Sequence, residues 1–86
     1  MDIEYYSAVF KTLSHPARLK IAQGLLSKKE CNVLLMAETL SLPQPIVSQH
    51  LAVMKRAGIL DSRREGNKIC YFLADEKVKK MLKGIA

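Results

Sequence analysis

The stretch Leu42-Pro43-Gln44-Pro45-Ile46-Val47-Ser48-Gln49-His50-Leu51-Ala52-Val53-Met54-Lys55-Arg56-Ala57-Gly58 decides the fold. Pro45 falls in a first helical turn, where its missing N–H has no acceptor to lose and its ring presets φ. Val47, Leu51 and Met54 then recur at helical spacing, and Gly58 ends the pattern. A helix is therefore predicted from Gln44 to about Ala57. Upstream, Ser41-Leu42-Pro43 interrupts a shorter pattern of Val33, Met36, Ala37 and Leu40, for which Asn32 is a good N-cap. Two short helices joined by so tight a turn form a helix-turn-helix, whose second helix is shaped for the DNA major groove.

Beyond Gly58 the apolar period drops from about 3.6 to 2. Ile59 to Arg64 and Lys68 to Leu73 read as two strands around Glu65-Gly66-Asn67, a strong hairpin signal. A basic hairpin directly after a helix-turn-helix makes a wing. Further out, Ile3, Tyr6, Phe10 and Leu13 predict a first helix. Pro16 opens a second, with Leu19, Ala22 and Leu26 inward, Ile21 and Leu25 beside them, and an end near Lys28-Lys29. Asp75 starts a last helix with Val78, Met81, Leu82 and Ile85 on one face. The predicted fold is mainly α with a small β-hairpin (α+β), a winged helix-turn-helix ordered α-α-(short β)-α-α-β-β-α. It forms one domain over residues 1–86, with Leu19, Leu26, Leu40, Val47, Leu51 and Leu60 in its core.

The chain has 86 residues, 49% hydrophobic and 26% charged, which excludes both a disordered tail and a second core. No apolar run approaches the roughly 18 residues of a membrane span, and the opening Met1-Asp2-Ile3-Glu4 is acidic where a cleavable leader would be basic. Two cysteines are too few for a disulfide framework, so the expected location is the cytoplasm. The net charge is +6, and residues 44–86 carry nine basic against four acidic side chains, whereas residues 1–43 carry five against four. That skew points to a polyanion, nucleic acid before membrane. Neither His15 nor His50 has a Cys or Asp partner for nucleophilic catalysis, and no enzyme is expected.

Gln44, Pro45, Ser48, Gln49 and His50 lie near the N-terminal end of the candidate reading helix. Gln can pair bidentately with adenine, and Ser can meet several base edges. Arg63, Arg64, Asn67 and Lys68 lie at or near the hairpin tip, placed for a phosphate backbone or a minor groove. The partner expected from this set is double-stranded DNA. The alternative is a winged-helix module that binds protein, which would need apolar residues on the exposed helix face.

The segments from Phe10 to Ile21 (Phe-Lys-Thr-Leu-Ser-His-Pro-Ala-Arg-Leu-Lys-Ile), Leu42 to Leu60 and Ser62 to Tyr71 resemble the ArsR family of prokaryotic winged-helix repressors. Val47-Ser-Gln-His-Leu51 and Arg63-Arg-Glu-Gly66, in register, make the resemblance specific over about residues 8–75. It implies a homodimeric repressor that binds operator DNA and releases it on sensing a metal ion, a thiol oxidant or another signal, such as a small-molecule inducer. The family's metal-sensing members carry Cys-Val-Cys where this chain has Asn32-Val33-Leu34, or Asp, His and Glu on the last helix, which here lacks histidine. No metal and no cofactor are therefore expected. Ser41 stands where the turn often has Gly.

Cys31 lies in the stretch before the third helix, where winged helices commonly add a short strand beside the second hairpin strand that carries Cys70. The two are a candidate thiol switch. If Ile69, Tyr71 and Leu73 face the core, however, Cys70 points outward and Cys31 inward, and the thiols diverge. Finally, the terminal helices (about 2–13 and 75–86) present more apolar surface than one small core can cover. Ile3, Tyr6, Phe10, Val78, Met81, Leu82 and Ile85 are the expected homodimer interface, spacing two reading helices for an inverted-repeat operator.

Overall fold

The computed structural model describes residues 1–27 and 31–85. Its elements run α1 (Ile3–Leu13), α2 (Pro16–Leu26), α3 (Val33–Leu40), α4 (Gln44–Arg56), β1 (Leu60–Glu65), β2 (Lys68–Leu73) and α5 (Glu76–Ile85). The expected end of α2 near Lys28-Lys29 and the last residue, Ala86, lie outside the described residues.

Local chemistry sets most boundaries. Asp2 caps α1 by accepting from the Tyr5 N–H at 3.0 Å, and Asn32 caps α3 by accepting from Leu35 N–H at 3.0 Å. His15, just before Pro16, is exposed and caps α2, its Nδ1 accepting from Ala17 N–H at 3.2 Å. Asp75 caps α5 through Val78 and Lys77 N–H groups. At the end of α3, Ser41 adopts φ +54°, and Leu42 N–H reaches back to Ala37 O at 3.1 Å, closing the turn of the helix-turn-helix. Gly58 (φ +79°) ends α4 and Gly66 (φ +65°) turns the hairpin. The strands pair antiparallel from Leu60 opposite Leu73 to Glu65 opposite Lys68, leaving Gly66-Asn67 as a two-residue turn.

The core gathers one stripe from every helix: Val9 and Leu13, Ile21, Ala22 and Leu25, Met36, Val47, Leu51 and Met54, and Val78 and Leu82, closed below by Ile59, Leu60 and Leu73. Three sequence expectations change here. Leu19 is exposed, and Ile21, Ala22 and Leu25 take its place, with Leu26 and Leu40 at the core margin. Helix α2 is apolar on several sides, so spacing alone does not choose its inner face. Val78 and Leu82 are 0% and 4% exposed within a single chain, so neither is available to a dimer interface. Both terminal helices dock on the core, α1 through Val9 and Leu13 and α5 through Val78 and Leu82. What stays outside is Ile3, Phe10 and Ile85, with Tyr6 and Met81 half-buried.

The third change concerns the short strand before α3. Among the described residues the sheet has two strands only. Of the stretch before α3, residues 28–30 lie outside the described residues, and Cys31 O accepts from Tyr71 N–H of β2 at 2.8 Å.

Candidate nucleic-acid interface

Helix α4 is fixed from within. Val47, Leu51 and Met54 are wholly buried, and the opposite side leaves Gln44, Pro45, Ser48 and Gln49 exposed. Pro43 occupies the N-cap position and no described side chain caps the helix, so its first turn presents the partial positive charge of the helix dipole to solvent. Exposed amides and an uncapped helix end, suited to a base edge and a phosphate, therefore share one corner.

His50 is placed apart from that set. It is half-buried, accepts from Arg18 Nε at 3.3 Å and lies with its ring centroid 4.5 Å from that of His15. Partial burial first, then the nearby His15 and Arg18, hold its pKa below the ordinary imidazole value. His50 thus joins α4 to the start of α2 as a neutral acceptor. Arg18 is the positioning residue that sequence reasoning missed; a lone cation on a helix gives no periodic signal of a partner 32 residues on.

On the wing, Arg64, Asn67 and Lys68 are exposed. Arg63 is exposed too but engaged, its Nε 2.8 Å from a Glu65 carboxylate oxygen and its guanidinium 5.5 Å from the Phe72 ring centroid. The pair is solvated, so it orients Arg63 more than it stabilises the fold. Lys55 Nζ donates to Ser62 Oγ at 2.8 Å, tying the end of α4 to β1. Helix α4 and the wing are therefore linked by a side-chain bond as well as by the short connection through Gly58.

The cysteines depart from expectation. Tyr71 and Leu73 do face the core, but Ile69, on the same face, lies out toward the tip and is 50% exposed. Cys70 is on the other face, beside Arg63, and it is buried, because that face is not open to solvent. Leu25 and Leu26 of α2 and Lys79 and Lys83 of α5 join it in lining a cleft of about 480 Å³. Period 2 placed the side chains properly; the assumption of a bare outer face was wrong. Cys31 lines the same cleft, and its Sγ, the Cys70 Sγ and a Glu65 carboxylate oxygen lie within 4.8 Å of one another. Burial and the Cys31 thiol push Cys70 up to about 11, which keeps it protonated at neutral pH. Reactive redox thiols have the opposite shift.

A polar reading corner on a buried scaffold, beside a basic wing, defines a DNA-binding winged helix-turn-helix regulator. Comparison with known proteins makes the class specific. Residues 13–63 match the family model described as a helix-turn-helix domain. The chain is 40% identical over 83 residues to the transcriptional repressor PagR of Bacillus anthracis, covering 96% of this chain and 83% of PagR. It is 40% identical over 77 residues to a biofilm growth-associated repressor of Agrobacterium fabrum, covering 90% of this chain but 65% of that protein. The PagR crystal structure superposes with TM-score 0.87 at 37% identity, over 100% of this chain and 98% of that one. The homodimeric winged helix-turn-helix DNA-binding domain from Mycobacterium bovis gives TM-score 0.85 at 26% identity, over 96% of this chain and 76% of that one. The chain belongs to the ArsR family of winged helix-turn-helix transcriptional regulators. Its members are DNA-binding regulators rather than enzymes. Among the described residues no helix is long and apolar enough to cross a membrane.

Proposed function

We propose that two copies of this chain pair and bind an inverted-repeat operator as a transcriptional repressor, each copy laying α4 in a major groove with its wing against the backbone or minor groove. The observation that carries this reading is the face of α4: Gln44, Ser48 and Gln49 exposed on a helix held rigid by fully buried Val47, Leu51 and Met54. A protein-binding module would show an apolar face there. Pairing uses the outward side of α1, Ile3, Tyr6 and Phe10, together with Ile85 and the free edge of Met81. Ile3, Phe10 and Ile85 are 66%, 59% and 75% exposed in the single chain. Leaving three such side chains in water forfeits on the order of 1.5 kcal/mol or more each, and a two-fold arrangement covers them twice over. The repressor named PagR and the homodimeric domain from Mycobacterium bovis support the two halves of this reading.

Selection of duplexes from a random pool by the purified protein, followed by affinity measurement across salt, tests it. A preferred sequence with two related half-sites is expected, its log affinity falling linearly with log salt. Arg64→Ala should weaken every duplex alike and reduce the salt slope by about 1. Gln49→Ala should cost about 1–3 kcal/mol of discrimination at one base pair per half-site. Equal affinity for selected and random duplex at moderate salt overturns the proposal.

A further inference from the structure

Among the described residues one group of side chains brings three metal-ligating atoms together, and none of them serves the DNA face. Cys31 Sγ, Cys70 Sγ and a Glu65 carboxylate oxygen lie within 4.8 Å of one another. They come from three backbone segments already held in register: the stretch before α3, which accepts from Tyr71 N–H at 2.8 Å; β2; and the last residue of β1, paired with Lys68. The thiolate positions of the family's metal sensors fall on Asn32 and Leu34, and its other site on the last helix, and this group uses none of them. The 39-residue separation of the two thiols hides it from any reading by spacing.

The donor set is selective. Calcium and magnesium take oxygen ligands, whereas two sulfurs and one carboxylate suit a thiophilic divalent cation. Bonds of about 2.3 Å to sulfur and 2.0–2.2 Å to oxygen place tetrahedral ligand atoms roughly 3.5–3.8 Å apart, so these atoms need close by only about an ångström. Burial is graded as an open site requires. Cys70 is buried, Cys31 half-buried and Glu65 exposed, on the cleft of about 480 Å³, which leaves room for water as fourth ligand. Two thiolates and a carboxylate around a dication leave one net negative charge, and Arg63 already sits 2.8 Å from Glu65, with Lys79 and Lys83 on the same cleft.

We propose that Cys31, Cys70 and Glu65 form an intramolecular site for a thiophilic divalent cation of the zinc and cadmium type, fastening the wing to the segment that leads into α3. Binding exchanges the two thiol protons for the metal, and no electrons move.

Reduced, metal-free protein titrated with cadmium chloride, without DNA, tests the site apart from the repressor reading. A thiolate-to-cadmium charge-transfer band should grow and saturate at one ion per chain, and the thermal midpoint should rise with added metal. Cys31→Ser, a near-isosteric change at a half-buried position on the core margin, should weaken binding at least tenfold while leaving the apo protein's circular dichroism unchanged. Cys70→Ser should do the same to binding. Glu65→Gln should keep the band and weaken binding by about ten- to a hundredfold. The proposal fails if no saturable band forms in the reduced parent protein, if Cys31→Ser binds as the parent does, if Glu65→Gln leaves affinity unchanged, or if saturation falls at one ion per two chains.

Discussion

Helices α4 and α1 each bury one apolar stripe, yet they differ in what they show outward. On α4 the inner stripe is Val47, Leu51 and Met54, and the exposed side carries the amides of Gln44 and Gln49 and the Ser48 hydroxyl, with Pro45, Ala52 and a partly exposed Ile46 between them. On α1 the inner stripe is Val9 and Leu13 with Tyr5 packed alongside, and the outer side carries Ile3 and Phe10. A helix needs one apolar face to be held in place. A polar second face leaves it free to read a polar ligand; an apolar second face is surface still to be covered. On the proposed reading, α4 serves DNA and α1 serves another copy of the chain.

Four measurements break or sharpen this contrast. Leu51→Ala removes a fully buried side chain from the inner stripe of α4 and should cost about 2–5 kcal/mol of unfolding free energy, read by urea denaturation. An undiminished midpoint would mean that α4 is not held as described. Phe10→Glu, on the outer side of α1, should leave the helix content of the chain intact and weaken the dimer by about 2–3 kcal/mol per chain, followed by sedimentation at micromolar concentration. If the variant sediments as the parent does, the outer side of α1 is not the interface.

The turn ahead of α4 offers a smaller effect of opposite sign. Ser41 holds φ +54°, a region costing an L-residue about 1–2 kcal/mol, while glycine loses more freedom on folding. Ser41→Gly should therefore stabilise the protein by roughly 0.5–1 kcal/mol in the same urea assay. The smallest effect is at His50, which faces Arg18 and His15. Its folded pKa lies below its unfolded value, so the unfolded chain takes up the proton first. The stability it contributes is complete above about pH 6.5 and is lost as pH falls through the folded value. His50→Gln should flatten the thermal midpoint over that window relative to the parent.

Most of the architecture was legible because punctuation and period agreed. Pro16, Asn32, Pro45, Gly58 and Gly66-Asn67 stand where the elements start, stop or turn, and each acts through its own backbone. The polar face of α4 was legible for the same reason, since a single buried stripe defines its opposite. Legibility failed where a residue's fate depends on what another segment brings. Leu19 and Ile21 differ only in which side of α2 meets the core. Val78 and Leu82 read as surplus because the room left for α5 against α2 and β2 is not visible in one dimension. Cys70 was assigned outward by a sound alternation, yet Cys31 and α5 cover the face it lies on. His50 stands beside Ser48 and Gln49 in sequence, yet its Nδ1 meets Arg18, a partner 32 residues away that no spacing reveals.

One contact bears on how α1 is held. The Tyr5 hydroxyl donates to the Asp75 carboxylate, 70 residues later, and Lys77 Nζ sits 5.1 Å from the Tyr5 ring centroid. The hydrogen bond holds that carboxyl below its usual range against the opposing pull of burial, and burial with the neighbouring carboxylate pushes the tyrosine up to about 12. The first turn of α1 is thus clasped by side chains at the start of α5, whereas its later turns rest on the core through Val9 and Leu13. Ile3 therefore rides on the polar clasp, and Phe10 on the packed part of the helix. The two ends of the outward side of α1 accordingly answer to different conditions: protonating Asp75 loosens the Ile3 end, while Phe10 keeps its place for as long as the core is packed.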